Sequence, residues 1–141
     1  MSKILIPIDD SPSALRALAY LVKKIQTGRE NAELHLVNVQ FPLHGGVSTF
    51  IDAAQIRQIH QEDAVKALAG ARSVLDEAGI PYQTHVFVGE PAEVLARFAN
   101  EQGVDEIVMG RRGQNQISTM LLGSVSLKLL NLAKAPVLLV K

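Results

Sequence analysis

Five short apolar runs, separated by four segments whose apolar residues recur at helical spacing, constrain this chain more than any other feature. The runs are Lys3–Ile8, Glu33–Val39, Tyr82–Val88, Glu106–Met109 and Pro136–Val140. Each is too short for a helix and rich in Ile, Val or Leu, as buried strands are. The intervening segments carry helix punctuation. Ser11-Pro12 places a capping residue before a proline at the first helical position, and Leu15, Leu18, Val22 and Ile25 follow until Gly28. Ala64, Ala67, Leu68, Ala71, Val74, Leu75 and Ala78 mark the buried face of a long helix from about Asp52, stopped by Gly79 and Pro81. Glu90-Pro91 opens a third helix, with Val94, Leu95, Phe98 and Ala99, ended by Gly103. Gly123 opens a fourth, running to about Lys134. Phe41–Phe50, with Pro42 and Gly45-Gly46, reads as a loop, as does Gly110–Leu122 with some helical character late on.

Strands alternating with helices, most of them continuously apolar, predict an α/β fold: a parallel sheet covered by helices on both faces, with right-handed crossovers. The 141 residues fit one domain spanning 1–141. In such sheets ligands sit beyond the carboxyl ends of the strands, where the strand order switches. Functional residues are therefore expected after strands one and four, with strand two as a further contributor.

Composition removes several classes of function. Lys plus Arg and Asp plus Glu are both 14, so the net charge is zero and gives no support to nucleic-acid binding. There is no cysteine, hence no disulfide framework and no thiolate metal site. The opening apolar run ends at Ile8 and meets Asp9-Asp10, unlike a signal peptide, and no stretch is long enough for a membrane helix. A soluble cytoplasmic protein without membrane partners is the expectation. His35, His44, His60 and His85 are scattered without zinc-site spacing, and His35 and His85, in strands, are expected at the surface or the core edge.

The segment richest in chemistry is Gly110-Arg111-Arg112-Gly113, then nine residues, then Gly123-Ser124-Val125-Ser126. It starts where strand four ends and finishes where helix four begins. Glycines let a backbone approach phosphate oxygens, and a helix start offers unpaired N–H groups and a positive dipole end. Ser124 and Ser126 add hydroxyl donors, and Arg112 can bond a phosphate in a bidentate way. Each glycine alone reads equally as a turn or a cap; the ordered set points to phosphate. No Gly-x-Gly and no Gly-Lys occurs, so neither the dinucleotide fingerprint nor the Walker loop is present. No Gly-x-Ser-x-Gly elbow makes Ser124 a nucleophile. Asp9-Asp10 suggests a phosphoacceptor domain, but the aspartate and lysine that such a domain needs after later strands are missing: strand three ends in Val88-Gly89 and strand four is followed by Arg111-Arg112.

Gly110-x2-Gly113-x9-Gly123-Ser124, together with the opening Ile4-Leu5-Ile6-Pro7-Ile8-Asp9-x-Ser11 and the closing Pro136–Val140, resembles the ATP-binding members of the universal stress protein family over the whole chain. The resemblance implies five parallel strands in the order 3-2-1-4-5. It implies a nucleotide held between the ends of strands 1 and 4: Pro7, Ile8 and Asp9 beside ribose and adenine, Val39 offering backbone groups to the adenine edge, and Gly110, Arg112, Gly113, Gly123, Ser124, Val125 and Ser126 around the phosphates. Asp9 reads otherwise as a carboxylate favoured by the helix dipole, and Val39 as a core residue. Arg111 and Asp10 depart from the family's frequent small residues.

The function expected is an ATP-holding regulatory protein of the stress response, with AMP or ADP as alternatives and magnesium carried through the phosphates. An ATP-cleaving enzyme and a partner-binding domain with a vestigial pocket are the competing readings. The chain offers no acid–base pair beyond Asp9 and the arginines, so hydrolysis is expected to be very slow or absent. A homodimer is expected through residues 136–141, whose apolar edge strand has only Pro136 and Lys141 to blunt it.

Overall fold

The computed structural model describes residues 1–43, 51–111 and 124–141. The chain alternates β1 (Ser2–Pro7), α1 (Pro12–Gln26), β2 (Ala32–Gln40), α2 (Ala53–Ala78), β3 (Tyr82–Val88), α3 (Pro91–Gln102), β4 (Glu106–Gly110), α4 (Ser124–Leu132) and β5 (Val137–Val140). The strands form one parallel sheet in the order β3-β2-β1-β4-β5, as expected.

Local chemistry sets the helix ends. Ser11 caps α1 by accepting from the Ala14 N–H, and Pro12 begins the helix. Asp52 and Gln55 form a reciprocal capping box at the start of α2, and Gly79 ends it with φ of 68°. The Glu90 side chain caps α3 at the Glu93 N–H, ahead of Pro91. Helix α4 stops at Leu132, short of the expected Lys134. There Asn100 of α3 accepts from the Lys134 N–H and donates to the Leu132 carbonyl, whose helical donor would be residue 136, a proline without an N–H.

Two apolar layers sandwich the sheet. Ile4, Ile6, Ile8, Leu34 and Leu36 face α1 and α2, where they meet Leu18, Leu21, Leu68 and Leu75. Leu5, Val37, Ile107 and Met109 face α3 and α4, where they meet Leu95, Phe98 and Leu129. The packing of Leu15 differs from the sequence expectation. Leu15 is 38% exposed and tips onto Gly70 of α2, while Ala14 and Ala17 take the buried stripe, because small residues let α1 lie close on the strands. Among the described residues no helix is long and apolar enough to cross a membrane.

His35 also departs from expectation. It is 4% exposed, inside the α3 layer rather than at the surface. One nitrogen of each ring meets at 2.9 Å in the His35–His85 pair, Phe87 and Phe98 flank the rings, and Glu33 Oε1 lies 3.2 Å from His35 Nε2, outside hydrogen-bond alignment. A contact between two ring nitrogens needs one donor and one acceptor, so the two rings cannot both be protonated. Burial, and then the neighbouring His35, hold the His85 imidazole below its ordinary range. The unfolded chain therefore takes up a proton first, at about pH 6.5. Stability is whole above that pH and falls as the pH drops from there through the lower folded value. Urea midpoints compared at pH 7.5 and pH 5 should show this loss, and His85→Gln should flatten it.

Candidate functional site

The chain leaves β1 towards β2 on one side and returns through α3 to β4 on the other, so the carboxyl ends of β1 and β4 flank the switch point of the sheet. The registers pair Pro7 with Val37 and Ile4 with Glu106. Carried forward, they set Ile8 level with Asn38 on one neighbour and Gly110 on the other. Asp9, Val39 and Arg111 are each one residue further out. The first-strand turn, the end of β2 and the start of the glycine segment thus meet at one edge.

The turn after β1 is tied down by its own side chains. Asp9 Oδ1 accepts from the Ser11 N–H at 3.0 Å and from the Ser11 hydroxyl, while Asp9 and Asp10 are both exposed. This self-bonded turn places an acid at the positive end of α1.

On the β4 side, Gly110 is the closest packed position. A Cβ there would stand 2.1 Å from the Ser13 carbonyl oxygen and 2.5 Å from the Ser13 hydroxyl. The glycine is therefore demanded by the first turn of α1 lying across the end of β4. Sequence spacing alone attributes it to phosphate approach. Arg111 continues the sheet by one bond, its N–H donating to the Val140 carbonyl at 2.7 Å.

On the β2 side, the Ile8 N–H bonds the Val37 carbonyl at 2.9 Å, the last backbone bond of the β1–β2 seam. Alternation along a strand then turns the backbone of Val39 to the β1 side, beyond the last paired residue of β1. Two residues without a role in the sequence motifs, Asn38 and Gln40, bond at this strand end. Asn38 is 2% exposed, donates to the Ile8 carbonyl at 2.8 Å, and accepts from the Gln40 side chain. A polar residue between Val37 and Val39 is the available signal, but it reads equally as an exposed strand position.

The remaining predicted residues fall in two groups. Ser124 is exposed at the start of α4, Val125 packs against the α3 layer, and Ser126 is buried with its hydroxyl 3.9 Å from Met109 Sδ. Arg112, Gly113 and Gly123 lie outside the described residues. Among the described residues no group of three or more His, Asp or Glu side chains could hold a metal ion.

An open parallel α/β sheet whose strand order switches between β1 and β4 is a frame in which ligands sit beyond the carboxyl ends of the strands. The chain belongs to the universal stress protein family, whose model matches residues 1–141. It is 34% identical to the universal stress protein YxiE of Bacillus subtilis, with 99% of both chains covered. The solved structure of MJ0577, a universal stress protein of Methanocaldococcus jannaschii, superposes with a TM-score of 0.79 at 28% identity, covering 99% of this chain and 95% of that one. A universal stress protein crystallised in complex with cAMP superposes with a TM-score of 0.72 at 26% identity, covering 99% and 97%.

Replacing Gly110 with alanine should push the first turn of α1 off β4, because the atom approached most closely, the Ser13 carbonyl oxygen, is backbone. A loss of about 1–3 kcal/mol in urea unfolding is expected, the usual cost of overpacking.

Proposed function

We propose that this protein binds one adenine nucleotide between the ends of β1 and β4 and acts by holding it, as a stress-response regulator rather than an enzyme. The observation that carries this is the stretch of backbone at Val39, turned towards the gap beyond β1 beside the exposed Asp9 turn. A strand with an outward-facing donor and acceptor suits the edge of a base, and Asp9 suits ribose hydroxyls. A family member in complex with cAMP supports a nucleotide of this class. ATP is the ligand we assign, and AMP or ADP would use the same base and ribose groups. Arg112, Gly113, Gly123, Ser124, Val125 and Ser126 are the phosphate side of the proposal, with magnesium arriving on the phosphates.

Calorimetry on the purified chain with ATP and with adenosine tests this. Both should bind, and Arg112→Ala should weaken ATP by about 1.5–3 kcal/mol for a lost charge-assisted bond while sparing adenosine. Equal weakening of both would remove the phosphate role. Hydrolysis should be very slow or absent; turnover on the order of 10 per second would favour the enzyme reading.

We also assign the protein to a homodimer joined through β5. Among the described residues this strand pairs only with β4, and its apolar residues are all partly exposed. An edge of this kind can pair with its own copy about a two-fold axis. Light scattering at micromolar concentration should give a dimer, and Leu138→Lys should shift it towards monomer. A monomeric parent chain would overturn the assignment.

A further inference from the structure

The geometry points to Asn38 as the positioning residue of the base slot: its side-chain amide takes the place of the Val39 backbone on the Ile8 carbonyl and so keeps Val39 free for a ligand. This deepens, and rests on, the nucleotide reading above.

In regular parallel pairing, a residue level with Asn38 donates to the carbonyl of residue 37 and accepts from the N–H of residue 39. Ile8 makes the first of these bonds, to Val37 at 2.9 Å. The second is replaced: the Ile8 carbonyl accepts instead from Asn38 Nδ2 at 2.8 Å. The seam is closed by a side chain, and the Val39 N–H is released from the partner that strand pairing would give it.

Two further contacts make this arrangement firm. Gln40 Nε2 donates to Asn38 Oδ1, which fixes the amide so that its nitrogen faces Ile8. On the opposite side of β2, the Gln40 carbonyl accepts from the Gly89 N–H at 2.9 Å, so β3 holds β2 out to its last residue. Among the described residues the β2 end is therefore paired on the β3 side and unpaired on the β1 side. Asn38 is 2% exposed, and a buried amide is retained only where its hydrogen bonds are met. An apolar side chain at this position would leave the Ile8 carbonyl without its partner, and the donor that regular parallel pairing supplies there is the Val39 N–H. The slot would then close by one rung.

The test is calorimetry on the full chain with ATP and with adenosine, alongside urea unfolding, for the parent, Asn38→Leu and Gln40→Leu. Asn38→Leu should weaken ATP and adenosine by the same factor, about ten-fold, because the lost order is at the base; Gln40→Leu should weaken both by about three-fold. A cooperative Asn38→Leu chain with both affinities within two-fold of the parent would overturn the proposal, whatever its urea midpoint, and so would a loss confined to ATP. If Asn38→Leu does not unfold cooperatively, Gln40→Leu decides alone, and unchanged affinity there overturns it. A parent chain that binds neither ligand overturns the nucleotide reading and this proposal together.

Discussion

The burial of β1 on every side is the constraint on which the rest of the structure depends. Ile4, Leu5 and Ile6 are fully buried, Leu5 beneath the α3–α4 layer and its two neighbours beneath the α1–α2 layer. Both edges of the strand are also used, by β2 and by β4. Burying these side chains is worth about 1.5–3 kcal/mol apiece, so the centre of the sheet is the part least able to shift. The strand then ends abruptly, in the exposed pair Asp9-Asp10, while β2 runs on to Gln40. A central strand shorter than its neighbour opens a notch at the switch point without any irregularity in the strands themselves.

The two sides of that notch are kept by opposite means. Towards β4, a side chain is deleted: Gly110 lets the Ser13 backbone of α1 come to a distance that no Cβ could share. Towards β2, a polar side chain is inserted: Asn38 enters the core and occupies the carbonyl at which the β1–β2 ladder would otherwise continue. The first draws helix and strand together, and the second joins two strands through a side chain in place of a backbone bond. Between them lies the Asp9 turn, self-bonded through Ser11, which starts α1 and presents an acid at its positive end.

Polar burial recurs in the α3 layer, where His35 and His85 share a hydrogen bond among Phe87 and Phe98. Strand pairing brings these histidines together: Val37 stands opposite His85, which leaves His35 on the diagonal, on the same face. Their separation of 50 residues hides the pair from any reading of local spacing.

The sequence by itself determined the alternation of strands and helices, the apolar faces, and the helix starts at Ser11, Asp52 and Glu90. These features are local: hydrophobic period and capping chemistry act within a few residues and survive transfer from chain to structure. It also marked the Asp9 turn and the Gly110 segment, because a turn and a glycine carry their meaning in their own backbone. The purpose of Gly110 was decided elsewhere, by how closely α1 crosses β4. The inward turn of Ser126 towards Met109, the exposure of Leu15, the burial of His35 and the bond from Asn38 to Ile8 were decided by the tertiary structure alone. Each depends on which element lies across the sheet from it, and that follows from register and packing between residues far apart in the chain, about which a polar or apolar letter says nothing.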